Sequence, residues 1–146
     1  MIRVLVVDDE EEVRSALARR LDREGYRVNS AGSEMEGLVA IKEAEAPFDV
    51  IITDMHMMDI NSGVRILEGA VSRDIFTEVI VLTAYGNVAN AVECMKRGAF
   101  DYVEKNLPGI DVFELIVLKV ELAAQRRRQS VQTLRRLEDF QAAEIG

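Results

Sequence analysis

Four short apolar stretches each run into residues that can do chemistry. Val4-Leu5-Val6-Val7 leads to Asp8-Asp9, Val50-Ile51-Ile52 to Thr53-Asp54, Val79-Ile80-Val81-Leu82 to Thr83-Ala84, and Tyr102-Val103-Glu104 to Lys105. In an open parallel sheet the functional crevice lies outside the carboxyl ends of the strands, so these side chains are expected on one rim. Three carboxylates held together repel one another and raise their own pKa values unless a cation neutralises them. A hard divalent ion is the natural solution. Magnesium prefers octahedral oxygen ligation, keeps waters and completes its shell with phosphate oxygens, which points to phosphoryl handling rather than a sealed metal cage. Calcium fits less well, because the spacing lacks a loop of alternating oxygen ligands. The Lys105 ammonium and the Thr83 hydroxyl can then hold phosphoryl oxygens whose charge the metal only partly cancels.

The elements that must position these residues follow from hydrophobic periodicity. Short β-branched runs alternate with longer amphipathic segments, the pattern of a parallel sheet covered on both faces. Strands are expected at 2–7, 26–31, 48–53, 78–82 and 100–104, the first, third and fourth continuously apolar and therefore central, the second and fifth at the edges. A helix over 10–24 carries Val13, Ala16, Leu17 and Leu21 inward and stops at Gly25. The capping box Ser33-Glu34-Met35-Glu36 opens a second helix running toward Ala46, with Pro47 as its exit. Further helices are expected over 62–73 and over 87–97, the latter with Ala91, Cys94 and Met95 inward and Gly98 as its stop. A second box, Asp111-Val112-Phe113-Glu114, opens the last helix, which no proline interrupts.

A length of 146 residues suits one domain with a short appendage, expected as a folded unit over 1–124 and a helical extension over 125–146. With 26 acidic and 18 basic residues the formal net charge is −8, so the surface repels phosphate backbones and direct nucleic-acid binding is not expected. One cysteine, Cys94, and one histidine, His56, exclude an internal disulfide and a multi-cysteine or histidine-rich metal centre. No targeting segment and no membrane span is read, which makes a reduced cytoplasmic setting the expectation. Charge changes sign near residue 125: residues 1–125 hold 13 basic and 23 acidic side chains, residues 126–146 five and three. Arg126-Arg127-Arg128 and Arg135-Arg136 read as a solvated helix face. Phe113, Ile116, Val120 and Ala123, then Arg127 and Ser130, then Leu134 and Leu137 follow a three-four spacing broken in the middle. That fits equally a short dimeric coiled coil and a helix left without a downstream domain.

Four motifs in order at strand ends carry a resemblance over about residues 2–122: Val4 through Asp8-Asp9-Glu10, Asp54 with Met57 three residues on, Val81-Leu82-Thr83-Ala84, and Gly98-Ala99-Phe100-Asp101-Tyr102-Val103-Glu104-Lys105. The chain resembles the receiver domain of two-component response regulators. The resemblance implies a flavodoxin-like fold of five βα units with strand order 2-1-3-4-5. It implies Asp54 as acceptor of a phosphoryl group from a sensor histidine kinase. It further implies Mg²⁺ held by Asp9 directly, by Asp8 through water, by Asp54 and by the backbone carbonyl of His56. Thr83 and Lys105 would bind phosphoryl oxygens, and Tyr102 would be an aromatic switch that alters the face made by the fourth helix, fifth strand and fifth helix. His56 and Tyr85 flank the site and could tune hydrolysis. Such domains are not enzymes acting on a separate substrate. The stretches from Leu82 to Val88 and from Ala91 to Ala99 look most like receivers of the nitrogen-regulator and dicarboxylate-transport-regulator type. Those control transcription and commonly precede an ATPase output module through a long helix. No Walker motif or helix-turn-helix follows here, so the output module is read as lying outside this chain, with a homodimer as the further expected partner.

Two departures bear on the site. The family's usual proline and glycine, four and eight residues after the acceptor, are here Met58 and Ser62; the glycine comes at Gly63, so the loop is one residue longer. The residue after Lys105 is Asn106 in place of the family's cis proline, for which a cis bond would cost about 2.5–4 kcal/mol. Either that cost is borne or another turn, using Pro108-Gly109, places the lysine. Two rivals remain: a degenerate receiver that dimerises without phosphorylation, and an aspartate-nucleophile phosphatase, which would want an acid where His56 stands.

Overall fold

The computed structural model describes residues 1–84 and 88–145. Five strands, β1 (Arg3–Val7), β2 (Arg27–Ala31), β3 (Val50–Asp54), β4 (Glu78–Thr83) and β5 (Asp101–Glu104), alternate with five helices, α1 (Glu11–Arg23), α2 (Glu34–Glu43), α3 (Ser62–Arg73), α4 (Val88–Lys96) and α5 (Val112–Ile145). The sheet is parallel throughout, in the order β2-β1-β3-β4-β5. The polar strands lie at the edges and the apolar ones between them, as their sequences require.

Period-two alternation along each strand builds a core on each side of the sheet. Val4, Val6, Val50, Ile52, Ile80, Leu82 and Val103 pack with Leu17 and Leu21 of α1 and Ile116, Val120 and Ala123 of α5. Leu5, Val7, Ile51, Val79 and Val81 face the other way, onto Ile41 of α2, Ile66 and Leu67 of α3 and Cys94 of α4. This two-sided burial aligns the strands so that the ends of β1, β3 and β4 share one rim.

Local signals set the boundaries. Gly25 has φ 93°, the left-handed conformation that stops α1. Ser33 Oγ accepts the Glu36 N–H at 3.1 Å, but Glu36 reaches one residue further back than a capping box, to the Gly32 N–H at 2.8 Å. Helix α2 ends at Glu43, three residues short of the expected Ala46. Met95, expected inward, stands 36% exposed at the margin of α4, where Ala91 and Cys94 fill the contact.

Helix α5 runs for 34 residues. Its sheet-facing stripe stays buried through Ala124, Arg127 follows half-buried, and residues 132–144 are exposed. The expected solvated arginine face is therefore only partly that: Arg127 has a side chain just 12% exposed, because Asp49 and Asp74 wait for it at the amino-terminal edge of the sheet. Arg126 lies 3.6 Å from Glu78 and stacks over the Phe100 ring.

Candidate functional site

Each chemical side chain sits where a buried strand stops. Asp8 follows β1 and is fully buried; Asp54 closes β3 and is 6% exposed; Thr83 closes β4 and is fully buried. Lys105 follows β5, and its backbone N–H donates to Thr83 O at 2.9 Å, continuing the sheet's pairing by one residue. Among the described residues no peptide bond is cis, so the cost of a cis Lys105-Asn106 bond is not borne, and the pairing with Thr83 holds the Lys105 backbone.

The Lys105 ammonium lies 3.0 Å from Asp54 Oδ2, 3.0 Å from Asp8 Oδ2 and 3.0 Å from Glu10 Oε1. Asp54 Oδ1 accepts the His56 backbone N–H at 3.3 Å, and Asp8 Oδ1 accepts that of Glu10 at 2.9 Å. Burial pushes the Asp54 carboxyl up to about 6, against the charge and hydrogen bond of Lys105 and with the help of repulsion from Asp8. Burial works against the charge of Lys105 too, yet the Asp54 and Asp8 carboxylates outweigh it and hold the ammonium above its ordinary pKa.

One oxygen from each of Asp8, Asp9, Glu10 and Asp54 lies within 4.8 Å of the others. Four carboxylates against one ammonium leave a surplus of negative charge. Asp8 Oδ2 is fully buried and among the described residues accepts no hydrogen bond; the Lys105 ammonium at 3.0 Å is its ionic partner. An all-oxygen donor set, one member desolvated and unsatisfied, fits a hard divalent cation.

The chain thus brings together Asp8, Asp9, Asp54, Thr83 and Lys105. His56 is exposed at the mouth, with its backbone at Asp54. Tyr102 is half-buried and packs against the core beneath α3 and α4, one strand away from Val81, with which it is in register. Tyr85 lies outside the described residues. Glu10 had no assigned role in the sequence; its only signal is its place directly after Asp8-Asp9, a position that reads equally as the start of a helix. Arg14, whose Nη1 donates to Asp8 O at 2.8 Å, was likewise silent. Gly63 explains the shifted glycine: a Cβ there would stand 3.0 Å from the Met55 Cα, and its N–H donates to Met55 O at 3.0 Å. It is this residue, not position 62, that lets α3 approach the acceptor strand.

A sheet of this order with this rim is the architecture of a phosphorylation-type signalling domain. The response regulator receiver domain family matches residues 4–117, and the chain belongs to it. It is 35% identical over 114 residues to the acid tolerance regulatory protein ActR of Rhizobium meliloti, covering 78% of this chain and 57% of that protein. It is 33% identical over 132 residues to the regulatory protein AtoC of Escherichia coli, covering 90% of this chain and 28% of that protein. The chain therefore spans about half or less of these relatives. Among solved structures, a response regulator receiver domain protein from Clostridium thermocellum superposes with a TM-score of 0.78 at 32% identity, over 88% of this chain and 98% of that one. Among the described residues no helix is long and apolar enough to cross a membrane.

Proposed function

We propose that this domain is a phosphorylation switch in which Asp54 takes a phosphoryl group from a sensor histidine kinase. The observation that carries the reading is one ammonium, Lys105 Nζ, at 3.0 Å from carboxylate oxygens of Asp54, Asp8 and Glu10 at once. In the transfer an Asp54 oxygen attacks the phosphorus of a phosphohistidine, the P–N bond breaks, and the imidazole nitrogen leaves with the electron pair and takes up a proton. The negative charge of the acceptor oxygen is lost in the new O–P bond, and the phosphoryl oxygens bring their own negative charge to the site. Lys105 meets that charge without moving, since it already faces Asp54, and the Thr83 hydroxyl supplies a second donor. A Mg²⁺ held by Asp8, Asp9, Asp54 and the His56 carbonyl would supply charge neutralisation and alignment of the phosphoryl oxygens. The nucleophile must be ionised, and Lys105 opposes the burial that would otherwise protonate it.

The same residues would position water for later hydrolysis of the acyl phosphate, with His56 and Tyr85 as the side chains that tune it, so the domain acts on itself and on no separate substrate. Movement of Thr83 toward the phosphoryl group opens space into which the half-buried Tyr102 ring can turn. The α4-β5-α5 face then changes, and a second copy of this chain or an output module carried by a longer protein responds, with transcription in the cytoplasm as the endpoint. The longer regulators ActR and AtoC support an output beyond residue 146. The extension from 125 onward is the connection to it and a candidate dimer contact.

Intact mass after incubation with Mg²⁺ and acetyl phosphate tests the reading. One phosphoryl group on the native chain and none on Asp54→Asn is expected; equal masses for the two proteins would refute it.

A further inference from the structure

The connection from Met55 to Asn61, which joins the acceptor to α3, contains no proline, and Met58 and Ile60 in it are 79% and 51% exposed. A connection of this kind is mobile unless tied down, yet here it must present backbone to the acceptor. Two side chains hold it. Ser62 Oγ, fully buried, accepts the N–H of Met58 at 2.9 Å and that of Asp59 at 3.2 Å. The first of those donors is one that a proline at position 58 would lack.

Arg65, in the first turn of α3, does the rest. Its Nη2 donates to Asp59 Oδ1 at 2.8 Å and to Glu34 Oε1 at 2.7 Å, and its Nε faces both Glu34 oxygens at 3.0 Å. Asp59 Oδ1 also accepts the Asn61 N–H at 2.8 Å, which shapes the turn from within. Glu34 is the first residue of α2, directly after the Ser33 cap, with a side chain 12% exposed. One guanidinium therefore joins the start of α2, the start of α3 and the acceptor loop. Glu34 of the bridge lines a groove of about 510 Å³ together with Asp9, Met57, Met58 and Lys42 among others, so the bridge and the acidic cluster border the same groove.

We infer that the Arg65 fork, closed on Glu34 and Asp59, is a positioning device that sets the 55–61 loop so that the His56 backbone meets Asp54 and the cation beside it. This rests on the reading of Asp54 as a metal-assisted acceptor. The physical argument turns on geometry, because the charge effect has the opposite sign. Removing a cation from the border of that groove makes the site more negative and favours a divalent ion, whereas loosening the loop disfavours it. Arg65→Lys separates the two: the charge stays and the planar fork is lost.

The experiment measures, on the whole chain, the Mg²⁺ affinity by calorimetry, the rate of acetyl-phosphate phosphorylation against Mg²⁺ concentration, and amide exchange over residues 56–61. Arg65→Lys is expected to bind Mg²⁺ roughly three- to tenfold more weakly. Its phosphorylation should be slowed at low Mg²⁺ and restored at saturation, its loop amides should exchange faster, and its melting temperature should be nearly native. A purely structural role would not give rescue by Mg²⁺. Native Mg²⁺ affinity with native loop exchange in the lysine variant would overturn the inference. If the native chain binds Mg²⁺ but takes up no phosphoryl group, the acceptor reading falls instead, and affinity and exchange still decide the part of Arg65. A native chain that binds no Mg²⁺ would overturn both.

Discussion

Arg127 Nε donates to Asp49 Oδ1 at 2.9 Å across 78 residues of sequence. The same guanidinium reaches the two oxygens of Asp74 at 3.2 and 3.4 Å. Asp49 immediately precedes β3, which ends in Asp54, and it also accepts the Arg3 N–H at 2.8 Å. Asp74 caps α3 ahead of β4, which ends in Thr83. The long helix is thus fastened to the ends of the two strands whose opposite ends carry the acceptor and the hydroxyl. It also explains the break in the apolar series at Arg127: that position faces this chain's own sheet.

Arg127→Met keeps most of the side chain's packing and removes the cation from between two carboxylates. Asp49 and Asp74 are 29% and 23% exposed, so water screens part of the loss. The cost should be about 1–3 kcal/mol, below that of a fully buried pair. A urea titration of native and variant chains measures it. An unchanged midpoint would mean that the bridge is only a surface contact.

The pH dependence of that difference has a definite sign. Burial alone would raise the Asp74 carboxyl, but the Arg127 and Phe76 hydrogen bonds and the nearby arginine charges outweigh it and hold it below its ordinary value. A depressed folded pKa gives stability that is complete above the unfolded value near about 3.9 and is lost as pH falls through the folded value. Native and Arg127→Met chains should therefore differ most near about pH 7, and the gap should close as pH falls below the unfolded value near about 3.9 and through the lowered folded one. Urea midpoints across that range check it, and a gap that widens on acidification would contradict it.

Sequence pattern and structure agree where the cause is local and part where it is not. The three central strands are legible because both their faces are buried, which makes Val79-Ile80-Val81-Leu82 apolar without interruption. Asp8, Asp54, Thr83 and Lys105 were legible because a parallel sheet puts strand ends on one rim whatever its details. Arg127 was not, because its partners lie 53 and 78 residues away and a charged residue on a helix looks the same whether it meets water or a carboxylate. Glu10 was missed for a related reason: an acid beside Asp8-Asp9 acquires its meaning only from the Lys105 ammonium, 95 residues on. Arg65 belongs with them, since nothing near it in sequence announces Glu34.

Burial of the Asp54 carboxylate, with repulsion from Asp8 added to it, makes the metal-free site a cost to the fold. With the Asp54 pKa raised to about 6, its ionised form is disfavoured in the folded chain at every pH above the unfolded value, and the penalty is complete above about 6. Asp54→Asn should therefore stabilise the metal-free domain near about pH 7 by about 1–3 kcal/mol. Saturating Mg²⁺ should raise the native melting temperature and narrow the gap, because the ion binds the folded state of the full cluster more tightly. Thermal melts of both chains with Mg²⁺ and with a chelator decide it; a less stable Asn variant without metal would show that the site is not strained by its charge.

The Arg127 bridge also says where the folded unit ends. Ala123 and Ala124 are buried on the sheet, Arg127 is held at its edge, Ser130 and Val131 are half-buried, and residues 132–144 are exposed. A chain cut after Val131 should keep the full-length stability, whereas one cut after Ala124 loses the bridge and leaves Asp49 and Asp74 without their cation. It should fall by more than Arg127→Met costs, since it also removes Arg126 from Glu78 and the Phe100 ring and the half-buried Ser130 and Val131. Adding Arg127→Met to the 131 cut is informative: its urea midpoint should fall between those of the 131 cut and the 124 cut, because Arg126 keeps Glu78 and Phe100. If the 131 cut were itself destabilised, a loss that depends on protein concentration would place the residues beyond it on a second copy, and one that does not would place Gln132 and Arg135 against Ile2 and Asp49 of the same chain.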